Sequence, residues 1–428
     1  MGTREAGLVE HLGGVGAMRL LVLGAGGMGR YAARTAAAFD FVEDVLIGDL
    51  DGPAAARLAD ALGSKARSAA IDVTDESALR VLLSGVDVVL NTVGPFYRLG
   101  PPVLRAAIRA RCHYLDINDD WESTEAMLAM ADDARAAGIT AVIGMGASPG
   151  ISNLLAVTAA RELDSVEELY AGFDLDAALP ETRGAQPAAA TIHGVHQLTG
   201  RIRVFEDGRL IDEPPLRPVD VDYPGLGRFS AWTMGHPEAI TFPTHFPGLR
   251  RSLVVMTMKR SNIIAMRLLA ALIGAKVLST ERAAAWVEWL EGVGKPAKTP
   301  DDYLREVTRD GAARLPPLFA VARGRKGGRE ASAAAAVLSA PAAGMGGATG
   351  VPLALGLAIV RPEGEVRRGV FAAEAVVDAD AFFERLAPLC TPAKRGRGEL
   401  LLVSRSWEEH DLRVELARLV SGRTPPFS

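Results

Sequence analysis

The sequence predicts an α/β protein with a Rossmann-type, doubly wound parallel sheet followed by a second, α+β domain. The first observation is that short apolar strands alternate with helical segments over residues 18–150, which is typical of a parallel sheet covered on both faces. The second is that this alternation then gives way to a β-rich stretch with many turns. We expect a dinucleotide-binding domain over 18–150 and a substrate-binding domain over 151–364. Residues 365–428 are expected to fold back onto the first domain.

The composition fits two globular domains and excludes several classes of function. The chain has 428 residues, 49% hydrophobic and 23% charged, enough to bury two cores. Its net charge of -5 argues against a nucleic-acid-binding surface, which needs clustered positive charge. The most apolar segments are too short or too charged to predict a membrane span. Two cysteines cannot form a disulfide framework and no zinc-ligand spacing occurs, so we expect a cytoplasmic protein without a metal.

A glycine-rich loop carries the first functional signal. Residues Gly24–Gly29 match G-x-G-x-x-G, and the loop follows an apolar strand and opens a helix. In this fingerprint Gly24 permits the tight turn, Gly26 lets the backbone approach a pyrophosphate, and Gly29 lets helix and strand pack closely. The alternative is a tight strand–helix turn without a ligand. The residues predicted to contact the cofactor here are Gly24, Gly26, Gly27, Met28 and Gly29.

A carboxylate follows this loop at the spacing of a ribose-binding residue. Asp49 ends the second predicted strand, 20 positions after Gly29. It would accept hydrogen bonds from the ribose hydroxyls and repel a 2′-phosphate, and residues 48–51 contain no Lys or Arg, so the sequence favours NAD over NADP. Asp72 follows the next strand and is predicted to lie near the adenine; its alternative role is that of a turn residue.

Seven short motifs, in this order, resemble the saccharopine dehydrogenase (saccharopine reductase) family. They are Asn91–Tyr97, Cys112–Ile117, Gly144–Asn153, Gly235–Glu238, Phe246–Gly248, Ala348–Pro352 and Gly369–Glu374. The resemblance extends from about Met18 to Leu386, and the stretch Thr191–Val195 is most similar to lysine 6-dehydrogenase.

The resemblance implies an oxidoreductase that moves a hydride between a nicotinamide cofactor and the C–N bond of an amino-acid-derived amine or imine. It also implies that the second domain binds a small, amino-acid-like substrate and forms the contacts of a homodimer. Saccharopine reductases proper usually lack an acidic residue at the position of Asp49, which leaves NADP and saccharopine itself in doubt. An enoyl or other small-molecule reductase, and a non-catalytic NAD-binding regulator, remain as alternatives.

Candidate chemical groups lie where strands end, because ligands of open parallel sheets bind beyond the carboxyl ends of the strands. We expect the nicotinamide over the loop after the fourth strand, at Asn91, Val93, Gly94 and Pro95. Tyr97 in the same loop is a catalytic candidate, with packing as its alternative role. Asp116 ends the fifth strand and is the candidate for stabilising an iminium cation; turn and cap formation is the alternative for this acidic segment.

Two of the seven histidines, His193 and His245, are the proton-shuttle candidates, since imidazole titrates near neutral pH. The alternative for each is an ordinary surface or core residue. A phosphorylating aldehyde dehydrogenase would need a nucleophilic cysteine beside the nicotinamide. Cys112 begins its strand and Cys390 lies in the tail, so the sequence argues against that class.

Overall fold

The computed structural model describes residues 18–175, 194–258, 260–292, 315–360, 367–408 and 412. These residues form two compact units, and each is described by itself below. Among the described residues, the first unit comprises 18–118, 122–146 and 346–372, and the second comprises 119–121, 147–345 and 373–412.

The strands range from two to ten residues in length. They are β1 (Met18–Leu23), β2 (Val42–Asp49), β3 (Ala66–Ala70), β4 (Val88–Asn91), β5 (His113–Asp116), β6 (Thr140–Ile143), β7 (Ser165–Asp174), β8 (Ile202–Glu206), β9 (Arg209–Glu213), β10 (Pro218–Tyr223), β11 (Gly227–Thr233), β12 (Arg251–Thr257), β13 (Leu318–Lys326), β14 (Arg329–Val337), β15 (Ala340–Pro341), β16 (Gly369–Ala372), β17 (Cys390–Thr391) and β18 (Leu401–Arg405).

The helices connect these strands. They are α1 (Gly27–Ala37), α2 (Gly52–Leu62), α3 (Glu76–Leu83), α4 (Phe96–Ala110), α5 (Trp121–Leu128), α6 (Ala131–Ala137), α7 (Ile151–Ala160), α8 (Glu238–His245), α9 (Arg260–Gly274), α10 (Thr280–Gly292), α11 (Gly344–Leu355), α12 (Ala373–Val376), α13 (Ala379–Leu386) and α14 (Arg397–Leu400). Within the described ranges, no helix has both the length and the apolar character needed to cross a bilayer.

The first unit is built on a seven-stranded sheet with the order β16-β6-β5-β4-β1-β2-β3, and every pair in it is parallel. The chain order reverses between β1 and β4, which makes the carboxyl ends of these two strands the switch point where such sheets bind ligands. Fully buried side chains such as Leu21, Val89 and Ala141 supply the core from the strand interiors. The predicted doubly wound sheet is confirmed.

The third strand differs from the prediction by three residues. The sequence pattern places it at the apolar run Ala69–Val73, whereas the structure pairs Ala66–Ala70 with β2, in the register Val45 to Ala66 and Asp49 to Ala70. Because β3 is the edge strand and is largely exposed, backbone pairing and not burial decides its position.

The second unit contains a nine-stranded mixed sheet with the main path β10-β11-β12-β7-β13-β14-β18. The sequence Glu206-Asp207-Gly208-Arg209 predicts a hairpin turn, and the structure confirms it. Strands β8 and β9 are antiparallel, and Asp207 and Gly208 between them have φ of 52° and 77°. Positive φ at both central residues is the type I′ geometry that matches the twist of a two-residue hairpin.

The predicted return of 365–428 to the first domain is only partly right. Strand β16 pairs with β6 in the first sheet, but from Ala373 onward the described chain belongs to the second unit. There β18 pairs with β14, and Leu402 on β18 is buried in the core of the second sheet. The alternating burial of β18 shows that one of its faces is turned towards the core of the second sheet, while β14 supplies its backbone pairing partner.

Candidate functional site

The glycine loop has the backbone geometry that a pyrophosphate-binding turn requires. Gly24 has φ of +99°, and a Cβ there would lie 2.3 Å from Thr92 Oγ1. A Cβ on Gly29 would lie 1.9 Å from the carbonyl oxygen of Gly24, so only glycine allows α1 to pack this closely on the loop. By contrast, a Cβ on Gly26 would meet nothing within 4 Å. The loop is therefore tight where it faces the protein and open where a ligand would approach.

The open side of the loop coincides with the start of a helix. Gly26 is the N-cap of α1, Gly26 and Gly27 are exposed, and Met28 is half-buried. The first N–H groups of an α-helix have no partner within the helix and carry the positive end of its dipole. The first turn of α1 contains no acidic residue that would occupy this position. These residues thus fit a dinucleotide phosphate.

Asp49 lies at the end of β2, beside the glycine loop. One of its carboxylate oxygens accepts a hydrogen bond from Ala25 N (2.6 Å), and the other accepts one from Asp51 N (2.8 Å). Asp49 therefore fixes the loop and is half-buried, with acceptor capacity left on both oxygens. Asp51 caps α2 by accepting from Ala54 N (3.0 Å), so a second carboxylate stands at this strand end.

Asp72 lies two residues beyond β3 and is exposed. Its Oδ1 accepts hydrogen bonds from the hydroxyl (2.6 Å) and the backbone N–H (2.9 Å) of Thr74. These bonds lower the pKa of the Asp72 carboxyl. The contacts are those of a turn residue, the alternative role of Asp72, and a role near the adenine stays a prediction.

Asn91 and Asp116 end the neighbouring strands β4 and β5 and belong to one buried chain of hydrogen bonds. Asn91 Nδ2 donates to the hydroxyl of Tyr114 (3.0 Å), which donates to Asp116 Oδ2 (2.8 Å). The other oxygen of Asp116 accepts from the backbone N–H groups of Asn118 (3.0 Å) and Gly144 (2.8 Å). Asp116 is completely buried and ties three strand ends together. Its predicted catalytic role stays a prediction.

The loop between β4 and α4 contains the remaining candidates of the first unit. Asn91 Oδ1 accepts from Val93 N (3.0 Å), which fixes the start of the loop, and Gly94 and Pro95 are half-buried. At the start of α4, Phe96 is buried whereas Tyr97 keeps 45% of its surface exposed. Phe96 is thus a packing residue, and the Tyr97 side chain is accessible from solvent.

The comparisons with known proteins agree with this geometry. The family model described as the saccharopine dehydrogenase NADP binding domain matches residues 20–142, which include the glycine loop and Asp116. Saccharopine dehydrogenase [NADP(+), L-glutamate-forming] of Saccharomyces cerevisiae is 33% identical over 144 residues, covering 34% of this chain and 30% of the relative. Over residues 20–142 the chain is therefore similar to the saccharopine dehydrogenase family.

Three further similarities span most of the chain. Carboxyaminopropylagmatine dehydrogenase of Synechocystis sp. is 24% identical over 399 residues, 87% of this chain and 96% of the relative. The solved structure of the yeast saccharopine dehydrogenase in its apo form has a TM-score of 0.55 at 18% identity and covers 91% of this chain and 100% of that one. The homospermidine synthase of Legionella pneumophila in complex with NAD has a TM-score of 0.53 at 14% identity, covering 91% and 92%.

Of the two predicted histidine candidates, only His245 lies within the residues that the structure describes. His193 lies outside the described residues. His245 is exposed at the end of α8, where its ring packs edge-on against Phe246 at 4.8 Å between centroids. His236 lies two residues before the first residue of α8, and only 3% of its surface is exposed.

His236 belongs to a buried polar network that sequence reasoning missed as a site. His236 Nδ1 donates to Glu238 Oε2 (2.7 Å), and the hydroxyls of Ser148 and Ser152 each donate to Glu238 Oε1 (2.6 Å). Glu238 is completely buried. We call these four residues, together with Asn153 and Glu374, the His236 network. All six residues of the network come from three of the motifs that carry the family resemblance. These motifs were the signal in the sequence that could have pointed to the network.

Asn153 and Glu374 form the second layer of the network. Asn153 Nδ2 donates to Glu374 Oε2 (2.6 Å), and Asn153 Oδ1 accepts from Gly150 N (2.8 Å) at the start of α7. Burial raises the pKa of Glu374, and the nearby charge of Glu238 raises it further. Burial also raises the pKa of Glu238, but the charge of His236 and the hydrogen bonds from His236, Ser148 and Ser152 outweigh it, so the pKa of Glu238 lies below its ordinary value.

Proposed function

We propose that this protein is a nicotinamide-dependent dehydrogenase that acts on the C–N bond of a small, amino-acid-derived amine or imine. The observation that carries the proposal is the glycine loop, closed by Gly24 and Gly29 and open at Gly26, within a domain that matches the saccharopine dehydrogenase model. The bound cofactor would supply or accept the hydride. Relatives named for dehydrogenation of amine compounds, including one aligned over 87% of this chain, support the substrate class.

We infer NAD as the preferred cofactor. Asp49 and Asp51 place two carboxylates at the end of β2, and a 2′-phosphate there would meet negative charge without a Lys or Arg from residues 48–51. The matching family model is described as NADP-binding, so the preference is the first point to measure. Gly24, Gly26, Gly27, Met28, Gly29 and Asp49 would hold the pyrophosphate and ribose, and Asn91, Val93, Gly94 and Pro95 would face the nicotinamide.

The burial and the raised pKa values of both cysteine thiols argue against a cysteine-dependent aldehyde dehydrogenase. Cys112 is buried and its Sγ donates to Val86 O (3.0 Å), while burial raises its pKa to about 11. Burial raises the pKa of Cys390 to about 12. Since the thiolate is the nucleophile, neither group is prepared for attack at neutral pH.

The experiment that tests the proposal has two stages. Fluorescence titration with NADH and NADPH should give a dissociation constant for NADH at least about tenfold lower, which corresponds to about 1.4 kcal/mol. The nicotinamide absorbance is then followed with lysine, saccharopine and pairs of oxo acids with amines. Turnover on one of these supports the proposal. Turnover only on alcohols or enoyl thioesters, or nucleotide binding without any turnover, would reject the C–N assignment.

We further propose that the protein acts in the cytoplasm as a homodimer whose second unit binds the substrate. Light scattering coupled to size exclusion should give twice the mass of the 45.1 kDa chain. A monomeric mass at micromolar concentration would contradict the dimer.

A further inference from the structure

Helix α11 contains the motif Ala348–Pro352, to which the proposed function gives no role. From Gly346 onward this helix belongs to the first unit, the unit that also contains the glycine loop. Its buried residues are almost all glycine or apolar, and they include every position from Gly350 to Leu355. The part that such a helix can play is therefore decided by what its backbone packs against.

Gly350 is a point at which α11 meets the first turns of α1. A Cβ on Gly350 would lie 2.3 Å from the carbonyl oxygen of Met28 and 2.8 Å from the backbone nitrogen of Ala32. It would also lie 3.0 Å from the Cβ of Tyr31. The two nearest atoms belong to the backbone of a helix, which cannot rotate away as the end of a flexible side chain can. Only glycine therefore fits at this position.

The carbonyl that Gly350 approaches is directly linked to the groups proposed to hold the pyrophosphate. Gly26 is the N-cap of α1, so Met28 and Gly29 are the second and third residues of the helix. The N–H of Gly29 is one of the first four N–H groups, which have no partner within a helix and are offered to a phosphate. The Met28 carbonyl and the Gly29 N–H belong to one planar peptide unit. A displacement of the oxygen is thus transmitted to the N–H.

The surroundings of α11 leave it little room to move away from α1. A Cβ on Gly356, the residue after its last turn, would lie 2.6 Å from Leu115 Cδ2 and 3.0 Å from Met145 Cγ. Leu353 within the helix has no exposed surface. Interiors packed this closely transmit a displacement because there is no free volume to absorb it.

The start of α1, in contrast, has open space on one side. A Cβ on Gly26 would meet nothing within 4 Å, and both Gly26 and Gly27 are exposed. A methyl group added at Gly350 would therefore be accommodated by movement of the first turn of α1. This is the turn whose N–H groups would bind the cofactor.

We propose that Gly350 is a positioning residue of the cofactor site. Its missing side chain sets the place of the first turn of α1 and thereby the affinity for the dinucleotide. The inference rests on the nicotinamide-dependent function proposed above. It makes a residue that lies 322 positions after Met28 a determinant of cofactor binding, acting through α1.

The test compares Gly350→Ala with the matched control Gly356→Ala by fluorescence titration with NADH, at a temperature below the melting transition of both variants. The control adds the same methyl group to the same buried segment, but against Leu115 and Met145. Both variants should melt at a lower temperature than the wild type, because overpacking destabilises a core. Gly350→Ala should raise the dissociation constant of NADH about tenfold or more, whereas the control should stay within about twofold.

The outcomes distinguish the inference from the proposed function. A wild type that binds neither NADH nor NADPH rejects the proposed function and the inference with it. A wild type that binds NADH, together with a Gly350→Ala variant of unchanged affinity, rejects the inference alone. Equal weakening in Gly350→Ala and Gly356→Ala also rejects it, because the effect would then follow from lost stability.

Hydrogen exchange of the wild type decides the question if Gly350→Ala does not fold. Cofactor binding and the packing of α11 on α1 are reciprocally linked if one affects the other. Saturating NADH should therefore slow amide exchange in α11 more than in β16, which belongs to the same unit. Equal slowing in the two elements, or none in α11, would overturn the proposal.

Discussion

The glycine loop and the His236 network are both candidate functional regions, but they are built in opposite ways. The loop is six consecutive residues, four of them glycine, and the proposed binding groups are backbone N–H groups at its exposed part, Gly26 and Gly27. The network is formed by buried side chains that are far apart in the chain: Ser152 and Glu238 are 86 positions apart, and Asn153 and Glu374 are 221. A site made of consecutive backbone groups can therefore be recognised in the sequence as a short motif. A site made of side chains that are far apart in the sequence can be recognised only when the fold is known.

The largest expected effect is on the network. Glu238→Ala removes the common acceptor of His236, Ser148 and Ser152 and should lower the free energy of unfolding by about 3–5 kcal/mol, because it leaves buried polar groups without their partner. Denaturant unfolding measures the change. His245→Ala, at an exposed position of the same helix, should stay within about 0.5 kcal/mol. A loss below about 1 kcal/mol for Glu238→Ala would mean that the network is not a stabilising unit.

The second largest effect is expected in the glycine loop, where Gly29 packs against the protein and Gly26 faces open space. Gly29→Ala should lower the unfolding free energy by about 2 kcal/mol or more and abolish NADH binding, since its Cβ would lie 1.9 Å from Gly24 O. Gly26→Ala should keep the melting temperature and weaken NADH binding about tenfold or more, because the methyl group enters only the space reserved for the pyrophosphate. Calorimetry and fluorescence titration measure both. Equal melting temperatures for the two variants would show that the close packing at Gly29 is not needed.

A smaller effect concerns the cofactor preference. Asp49→Asn keeps an oxygen acceptor for Ala25 N but removes the charge that repels a 2′-phosphate. The ratio of NADPH to NADH dissociation constants should fall about tenfold, which is about 1.4 kcal/mol. Asp60→Asn is the control, because Asp60 is an exposed acidic residue of α2 that is not among the predicted cofactor residues. An unchanged ratio of the dissociation constants in Asp49→Asn would show that other residues determine the preference between NAD and NADP.

The smallest effect is a pH dependence of stability. A carboxyl whose pKa is higher in the folded than in the unfolded state stabilises the fold least at high pH, since the unfolded state releases its proton first. Burial gives Glu374 such a raised pKa, so its contribution is lost as the pH rises above the ordinary value of 4.5. Glu374→Gln should therefore gain in melting temperature relative to the wild type between pH 5 and pH 8. A constant difference across this range would contradict the raised pKa.

The fold and the cofactor loop could be predicted because their signals are local. Strand–helix alternation and the glycine spacing act over a few residues, and they gave the parallel sheet and the loop. The position of β3 and the assignment of residues after Ala372 depended on pairing with strands elsewhere in the chain, which a local pattern does not contain. In the same way the sequence did not single out His236, because its burial and its hydrogen bond to Glu238 are properties of the folded chain.

The seventh strand of the first sheet has a consequence for how the protein is made. Thr140 Oγ1, at the start of β6, donates to the carbonyl of Arg367, which is 227 positions later and leads into β16. At a synthesis rate of about 5–20 residues per second, the ribosome needs on the order of 10–45 seconds to deliver that partner. Until then the edge of β6 is without its neighbour, and the nascent first domain is exposed to association with other chains or to chaperones.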